Sequence, residues 1–156
     1  MELKFIGRIQ SQYKTQDGTP IQPSFAEESI GEIVLERDYV DALADLIGFD
    51  RIWVIYAFHK ATPFKHRIVP YRDTVERGLF ATRAPCRPNP IGMSVVKLEG
   101  IEENVLRISG VDMLDGTPVL DIKPYVPDFD SYPNSKAGWL DLKRASRQRA
   151  DQRFEK

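Results

Sequence analysis

The feature that most constrains the fold of this chain is a series of short apolar runs, each of strand length, with turn residues between them. The clearest run is residues 51–58, where β-branched and aromatic side chains follow one another as in a buried strand. Among these runs only one helix is predicted, which begins at Asp38 and ends at Gly48. The other predicted strands are residues 3–9, 30–35, 78–82, 93–98, 105–111 and 119–122. The pattern predicts an all-β fold, an antiparallel barrel or sandwich with one or two short helices, and a closed barrel would leave no strand edge exposed.

The length of the chain bounds the number of domains. With 156 residues, 42% of them hydrophobic, it is long enough for one domain with a core and too short for two. We place this domain at residues 1–135 and predict a helical tail at residues 136–156. From residue 141 onward the tail has more basic than acidic side chains: Lys143, Arg144, Arg147, Arg149, Arg153 and Lys156 against Asp141, Asp151 and Glu155. It is either a solvated helix face or frayed end, or an arm that contacts phosphates.

Hydrophobicity and cysteine content bear on location and redox chemistry. No apolar run approaches the ~18 residues that a membrane helix needs, and the N-terminus lacks the order of a signal peptide. We therefore predict a cytoplasmic protein with no membrane partner. The single cysteine, Cys86, excludes an internal disulfide. No histidine stands at catalytic spacing from it, so a packing role explains Cys86 better than a nucleophilic one.

A proline-rich segment, residues 83–92, is predicted to be a rigid loop. Its three prolines fix the backbone and allow neither a helical nor a strand period. Arg83 and Arg87 could converge on one anionic or carbonyl group, or they could instead satisfy backbone carbonyls within the loop. Asn89 could cap the turn before Pro90 or contact a ligand with its amide.

An acidic segment, residues 112–125, is expected to form the opposite wall of the same site. Asp112, Asp115 and Asp121 surround a turn, which Asp115 and Gly116 predict by themselves. Their spacing does not match a calcium loop and only two histidines are available, so no metal site is predicted. His59 and Lys60 follow the predicted central strand and would emerge where that strand leaves the core.

At these same two segments the chain resembles the TsaA-like (YaeB) family. The motifs that carry the resemblance are residues 80–83, 87–92, 115–119 and 121–125, and the similarity extends from the N-terminal strand to about residue 127. The family consists of tRNA methyltransferases that use S-adenosylmethionine. The resemblance implies a β-barrel, a homodimer, and methylation of N6 of threonylcarbamoyl-adenosine beside the anticodon of tRNA. It also implies S-adenosylmethionine contacts at Gln22, Pro23, Ser24, His59, Lys60, Arg83, Met93, Asp112, Met113, Leu114 and Asp115.

The chemistry that this substrate implies assigns two catalytic roles. An N6 attached to a carbamoyl group is a poor nucleophile until its proton is removed, so a carboxylate base, Asp121 or Asp112, is expected. Arg87 or Asn89 would hold the carbamoyl oxygen and stabilise the developing negative charge. Two alternatives remain open: an RNA- or nucleotide-binding barrel without catalysis, and a metal-assisted hydrolase built on the three aspartates.

Overall fold

Side chains alternate between buried and exposed along most strands of this fold. The computed structural model describes residues 2–26, 28–142 and 147–155. The run at residues 51–58, continuous in hydrophobicity, alternates in burial once it is folded, with Ile52 and Val54 inward and Trp53 outward. The strands are β1 (Gly7–Gln10), β2 (Ile30–Leu35), β3 (Arg51–Ala57), β4 (Arg67–Ile68), β5 (Arg77–Gly78), β6 (Ile91–Glu102), β7 (Val105–Ser109) and β8 (Pro118–Pro124).

The main sheet is a closed antiparallel barrel. Its strand order is β1-β2-β7-β6-β3-β8, and β8 pairs back with β1 at Gly7 and Arg8. Strands β4 and β5 form a separate ribbon outside the barrel. Closure gives every barrel strand two neighbours, so no edge of the main sheet is left for pairing with another chain. The predicted barrel is confirmed, and the sandwich is excluded.

Two apolar clusters hold the molecule together. The barrel interior contains fully buried side chains from every barrel strand, among them Ile9, Ile33, Val96, Leu106 and Val119. A smaller cluster joins Ile68, Leu79, Ala84, Cys86 and Phe154 outside the barrel. Cys86 has no exposed surface and is a free thiol, as expected of a packing residue.

Three of the predicted elements differ in the structure. The strand expected at residues 3–9 begins only at Gly7, and Leu3 and Phe5 before it are exposed. The helix expected between Asp38 and Gly48 is two 3-10 turns, Arg37–Leu43 and Leu46–Gly48, because Asp45 between them has a left-handed backbone with φ of 65°. The first of these turns begins after Glu36 without a side-chain cap, so Asp38 lies inside the turn and does not cap it. The strand expected at residues 78–82 is instead a 3-10 turn, Leu79–Ala81, which buries Leu79 in the smaller cluster.

Short helical elements occupy the remaining connections. They are the 3-10 turn Pro23–Phe25, the α-helix α1 (Pro127–Asp130), and the 3-10 turns Gly138–Leu140 and Gln152–Phe154. The last two are the helical part of the tail within the described residues, whereas residues 147–151 are not helical. Residues 143–146 and 156 of the predicted helical tail lie outside the described residues. None of the helices in the described ranges has the length and hydrophobicity needed to cross a bilayer.

The described end of the tail packs on the body of the molecule. Arg149 forms an isolated bridge with Pro20, and the backbone of Ala150 exchanges hydrogen bonds with Gly18 and Thr19. Arg153 donates to the carbonyls of Val69 and Pro70, at 3.3 and 2.8 Å. These residues therefore act as a strap across two loops, and the division at residue 135 stays a prediction.

Candidate functional site

One end of the barrel opens into a cavity of about 270 Å³, just below the usual range for ligand sites. Five stretches of chain surround it: residues 16–22, the end of β3 with residues 58–61, the proline-rich loop, the start of β6, and residues 112–117. Tyr71 and, from the tail, Ala150 complete the wall. The proline-rich segment and the acidic segment, which were expected to face each other, therefore do so across one cavity.

The proline-rich wall contributes a guanidinium group. Arg83 lines the cavity and donates from Nη1 to Oε1 of Gln22 at 2.8 Å. This bond fixes one nitrogen on the opposite loop and leaves the other donors of the planar fork available to a ligand. A preorganised arginine at the mouth of a cavity suits a carboxylate or phosphate.

The acidic wall contributes a carboxylate that belongs to a buried chain of hydrogen bonds. Ser94 donates to Oδ1 of Asp112 at 2.7 Å, and the hydroxyl of Tyr56 lies 3.2 Å from the Ser94 oxygen. Because Ser94 donates its only proton to Asp112, Tyr56 must be the donor to Ser94. Burial raises the pKa of Tyr56, as does the charge of Asp112, so the phenol remains protonated.

The environment of Asp112 shifts its titration toward neutrality. Burial raises the pKa of its carboxyl to about 7. The hydrogen bond from Ser94, the residue's own backbone N–H and the charge of Arg83 lower this pKa, but burial has the larger effect. A carboxylate held away from water in this way is stabilised by a cationic ligand, and binding such a ligand would release the proton. Perturbed groups of this kind mark functional sites more often than structural ones.

The residues that leave the central strand also reach the cavity. His59 and Lys60 both line it, and Lys60 donates to the backbone carbonyl of Lys14 at 2.9 Å. Partial burial lowers the pKa of His59, and the charges of Lys60 and Arg8 lower it further. The imidazole is therefore neutral at neutral pH and can accept as well as donate a hydrogen bond.

Arg87 lines the cavity, but its guanidinium is partly engaged within its own loop. Its Nη1 donates to the carbonyls of Thr82 and Ala84, at 3.0 and 3.4 Å, and its carbon lies 5.6 Å from the centre of the Phe80 ring. The sequence left two roles open for the arginines, a shared ligand or the backbone carbonyls of the loop. Arg87 bonds to the loop carbonyls, whereas Arg83 bonds to a side chain across the cavity.

The other expected residues divide into three groups. Met93, Met113 and Leu114 line the cavity together with Gln22. Pro23 and Ser24 line an adjoining outer groove, which shares Gln22, Arg83 and Met93 with the cavity. Asp115, Asn89 and Asp121 do not line the cavity of this subunit.

The placement of these last three has local causes. Asp115 accepts from the backbone N–H of Ser11 and pairs with Lys14 at 2.6 Å, which lowers its pKa, so it braces the turn. Asn89 is an exposed loop residue whose carbonyl accepts from Ile91. Asp121 points outward from β8 and pairs with Lys123 at 2.8 Å. Across the described residues, no group of three or more His, Cys, Asp or Glu side chains is arranged to hold a metal.

Tyr56 and Ser94 are site residues that the sequence reasoning missed. Ser94 did carry a signal, because it is the polar member of the inward series Gly92, Ser94, Val96 and Leu98. A hydroxyl at an inward strand position needs a partner, which here is a carboxylate from the acidic wall. Tyr56 lay inside an apolar run, and nothing in the sequence indicates that its hydroxyl turns toward the cavity.

Gly92 leaves room for the Tyr56 ring, which gives a direct prediction. A methyl group at this position would overlap two ring carbons of Tyr56 and approach Phe58. We expect Gly92→Ala to lower the free energy of unfolding by about 1–3 kcal/mol, because a buried ring and its strand must shift. Gly78→Ala is the control, since nothing lies within 4 Å of the added carbon. Equal urea midpoints for the two variants would contradict this account of the ring.

Comparisons with known proteins agree on one family. The tRNA-methyltransferase O N-terminal domain matches residues 8–131. A probable S-adenosyl-L-methionine-binding protein of Pyrococcus abyssi is 47% identical over 96% of this chain and 82% of its own length. A mouse protein named tRNA (adenine(37)-N6)-methyltransferase is 40% identical over 83% of this chain and 32% of its own length. The crystal structure of TrmO from Pseudomonas aeruginosa superposes with a TM-score of 0.78 and 42% identity, covering 90% of this chain and 63% of that one.

Proposed function

This chain belongs to the family of the tRNA-methyltransferase O N-terminal domain, and on that basis we propose that it transfers a methyl group from S-adenosylmethionine to N6 of an adenosine in tRNA. The observation that carries the proposal is the cavity at the barrel end, where Arg83 and Asp112 stand on facing walls. Relatives named for binding S-adenosylmethionine and for methylating tRNA support the two halves of the reaction.

The residues of the cavity fit S-adenosylmethionine. This molecule has a carboxylate, an ammonium group and a sulfonium, so it needs both a cationic and an anionic partner. Arg83 supplies the first and Asp112 the second, while Met93, Met113 and Leu114 offer apolar contacts. When bound, S-adenosylmethionine supplies an electrophilic methyl group. We assign its binding to these side chains together with Gln22, His59 and Lys60, and to Pro23 and Ser24 along the adjoining groove.

We propose threonylcarbamoyl-adenosine beside the anticodon as the acceptor. Its N6 must lose a proton, and the carbamoyl oxygen then gains negative charge. Arg87 lines the cavity with part of its guanidinium engaged in the loop, so it is held rigidly beside the position where that charge would develop. Asn89, exposed in the same loop, would approach the substrate from outside. Methylation of tRNA that has the threonylcarbamoyl group, but not of a transcript without it, would test this choice.

We also propose that the active form is a homodimer in which Asp121 serves the partner's cavity. In the strand register, Asp121 and Met93 flank Ile55 on the outer face of the barrel. Met93 is 49% exposed and lines the mouth of the cavity, so this face runs from Asp121 to the site. The same face carries Trp53 and Val95, an apolar surface suited to a second copy. Sedimentation as a monomer at working concentration would exclude this arrangement.

Mass spectrometry of nucleosides tests the function itself. Cellular tRNA is incubated with the protein and methyl-labelled S-adenosylmethionine, then digested, and we expect the label on N6 of the modified adenosine. Binding of tRNA without transfer of label would favour the alternative of a non-catalytic RNA-binding barrel. We propose the cytoplasm as the location because the acceptor is tRNA, and cell fractionation checks it.

A further inference from the structure

A second cavity of about 540 Å³ lies beside the first, outside the barrel. Residues common to both cavities include Ile21, Gln22, Tyr71, Thr82 and Arg83. On its far side the second cavity is bounded by Phe80, Trp139 and Leu140. A molecule lying in it would therefore extend directly to the edge of the proposed methyl-transfer site.

An exposed aromatic ring stands at the edge of this cavity. Phe80 is 79% exposed although it belongs to an ordered 3-10 turn. Leu79 anchors that turn in the smaller core cluster, and Thr82 closes it by donating from its hydroxyl to the Leu79 carbonyl at 2.7 Å. Such a large apolar ring, held outward by a rigid turn, is costly to leave in water and is suited to stacking against a ligand.

Arginine side chains accompany the aromatic rings. The guanidinium of Arg87 lies over Phe80, at 5.6 Å from the ring centre, and that of Arg77 lies over Trp139, at 5.4 Å. Trp139 is fixed by its indole N–H, which donates to the carbonyl of Ala81 at 2.8 Å. Arg83 also lines the cavity, and among its described lining residues none carries a carboxylate, whereas Arg77 outside that lining pairs with Asp73 at 2.8 Å.

We propose that this aromatic and basic surface binds the unpaired bases that flank the target adenosine in the RNA substrate, with one base stacked on Phe80. Stacking on aromatic rings beside arginines is how proteins hold single-stranded RNA, since every base has a π-face and every linkage an anion. The surface would keep the neighbouring nucleotides outside while the target base enters the first cavity. This inference rests on the proposed function, because it assumes an RNA acceptor.

The test is RNA binding by the Phe80→Ala variant of the full chain. The probe is a fluorescein-labelled RNA hairpin whose loop is of the anticodon type, measured by fluorescence anisotropy. We expect the Kd to rise roughly 5- to 100-fold, the loss that follows removal of one stacked base. Phe80→Trp should restore binding, because it keeps a stacking face. Phe129→Ala is the matched control, since Phe129 is 73% exposed and lines neither cavity.

Other measurements separate the competing occupants. Calorimetry with S-adenosylmethionine should give the same Kd for Phe80→Ala and wild type, and a parallel loss would assign the surface to the cofactor and overturn the proposal. Dissociation of a dimer by Phe80→Ala would likewise overturn it, by making the surface an interface between copies. Unchanged RNA binding by this variant, or no RNA binding by wild type, would do the same. If the RNA result holds but no methyl group is transferred, the proposed function fails and the RNA surface stands.

Discussion

The Asp112→Asn variant is expected to bind S-adenosylmethionine roughly 30- to 1,000-fold more weakly than wild type, because it removes one partner of a buried charge pair. The amide keeps the volume of the side chain and can still accept from Ser94, so the cavity retains its shape. Only the negative charge that faces a cationic ligand is lost. Titration calorimetry measures the change, and Asp41→Asn, an exposed aspartate in a distant turn, is the control for removal of a charge.

The same carboxyl makes cofactor binding depend on pH. Because the pKa of Asp112 is about 7, the wild-type affinity should rise as pH increases through 7 and level off above it. The variant should lack this step. The sign for stability is opposite, since a carboxyl with a raised pKa is harder to ionise in the folded state than in the unfolded one. The contribution of Asp112 to the free energy of unfolding therefore falls as the pH rises from 4 to 7. Above pH 7, Asp112→Asn should unfold at an equal or higher temperature than wild type. A lower Tm there would contradict this sign for the contribution of Asp112 to stability.

The Asp121→Asn variant is expected to lose roughly 100- to 10,000-fold in methyl transfer, the usual contribution of a general base. Its affinity for S-adenosylmethionine should be unchanged in the proposed homodimer, because the cofactor contacts remain. Asp121 lies on the outer face and pairs with Lys123, so removing its charge has little effect on the core. Single-turnover transfer to tRNA, measured at saturating cofactor, isolates the chemical step.

Mixed dimers then decide which subunit Asp121 serves. One subunit carries Asp112→Asn and the other Asp121→Asn, and the assay uses a cofactor concentration that saturates wild type but not Asp112→Asn, so that each variant is nearly inactive as a homodimer. In the mixed dimer one cavity has an intact Asp112 and receives an intact Asp121 from its partner, so we expect up to about half of wild-type activity. If Asp121 acts within its own subunit, both cavities of the mixed dimer are defective. Activity no higher than that of the parents would then reject the shared site.

The barrel was predictable because its signal is local. Residues 30–35 and 51–58 carry strand-type side chains that also alternate in burial once the sheet closes. One failure came where a residue outside the segment decided the outcome. Residues 78–82 have strand-type composition, but Leu79 is needed in a cluster with Phe154 from the tail, and no local pattern shows that partner.

The sequence predicted which segments line the cavity, but it did not predict the hydrogen bonds and ion pairs among their side chains. Arg83 belongs to a motif that identifies the family and Asp112 to the acidic segment, and the structure brings them to one cavity. Asp115 lies in the same acidic segment, yet its carboxylate turns to Lys14, because the loop that carries Lys14 passes beside it. The link from Tyr56 through Ser94 to Asp112 joins three distant strands and loops, so it depends on the barrel register rather than on any stretch of sequence.

The strap formed by the described end of the tail has a consequence for biosynthesis. Ala150 lines the first cavity, Arg149 bridges to Pro20, and Phe154 fills the outer cluster. The barrel strands, which end at Pro124, all precede these residues in the chain and emerge first during synthesis. The ligand cavity, in contrast, is completed only after residue 154 has emerged. A nascent chain therefore acquires its sheet before it acquires its binding site.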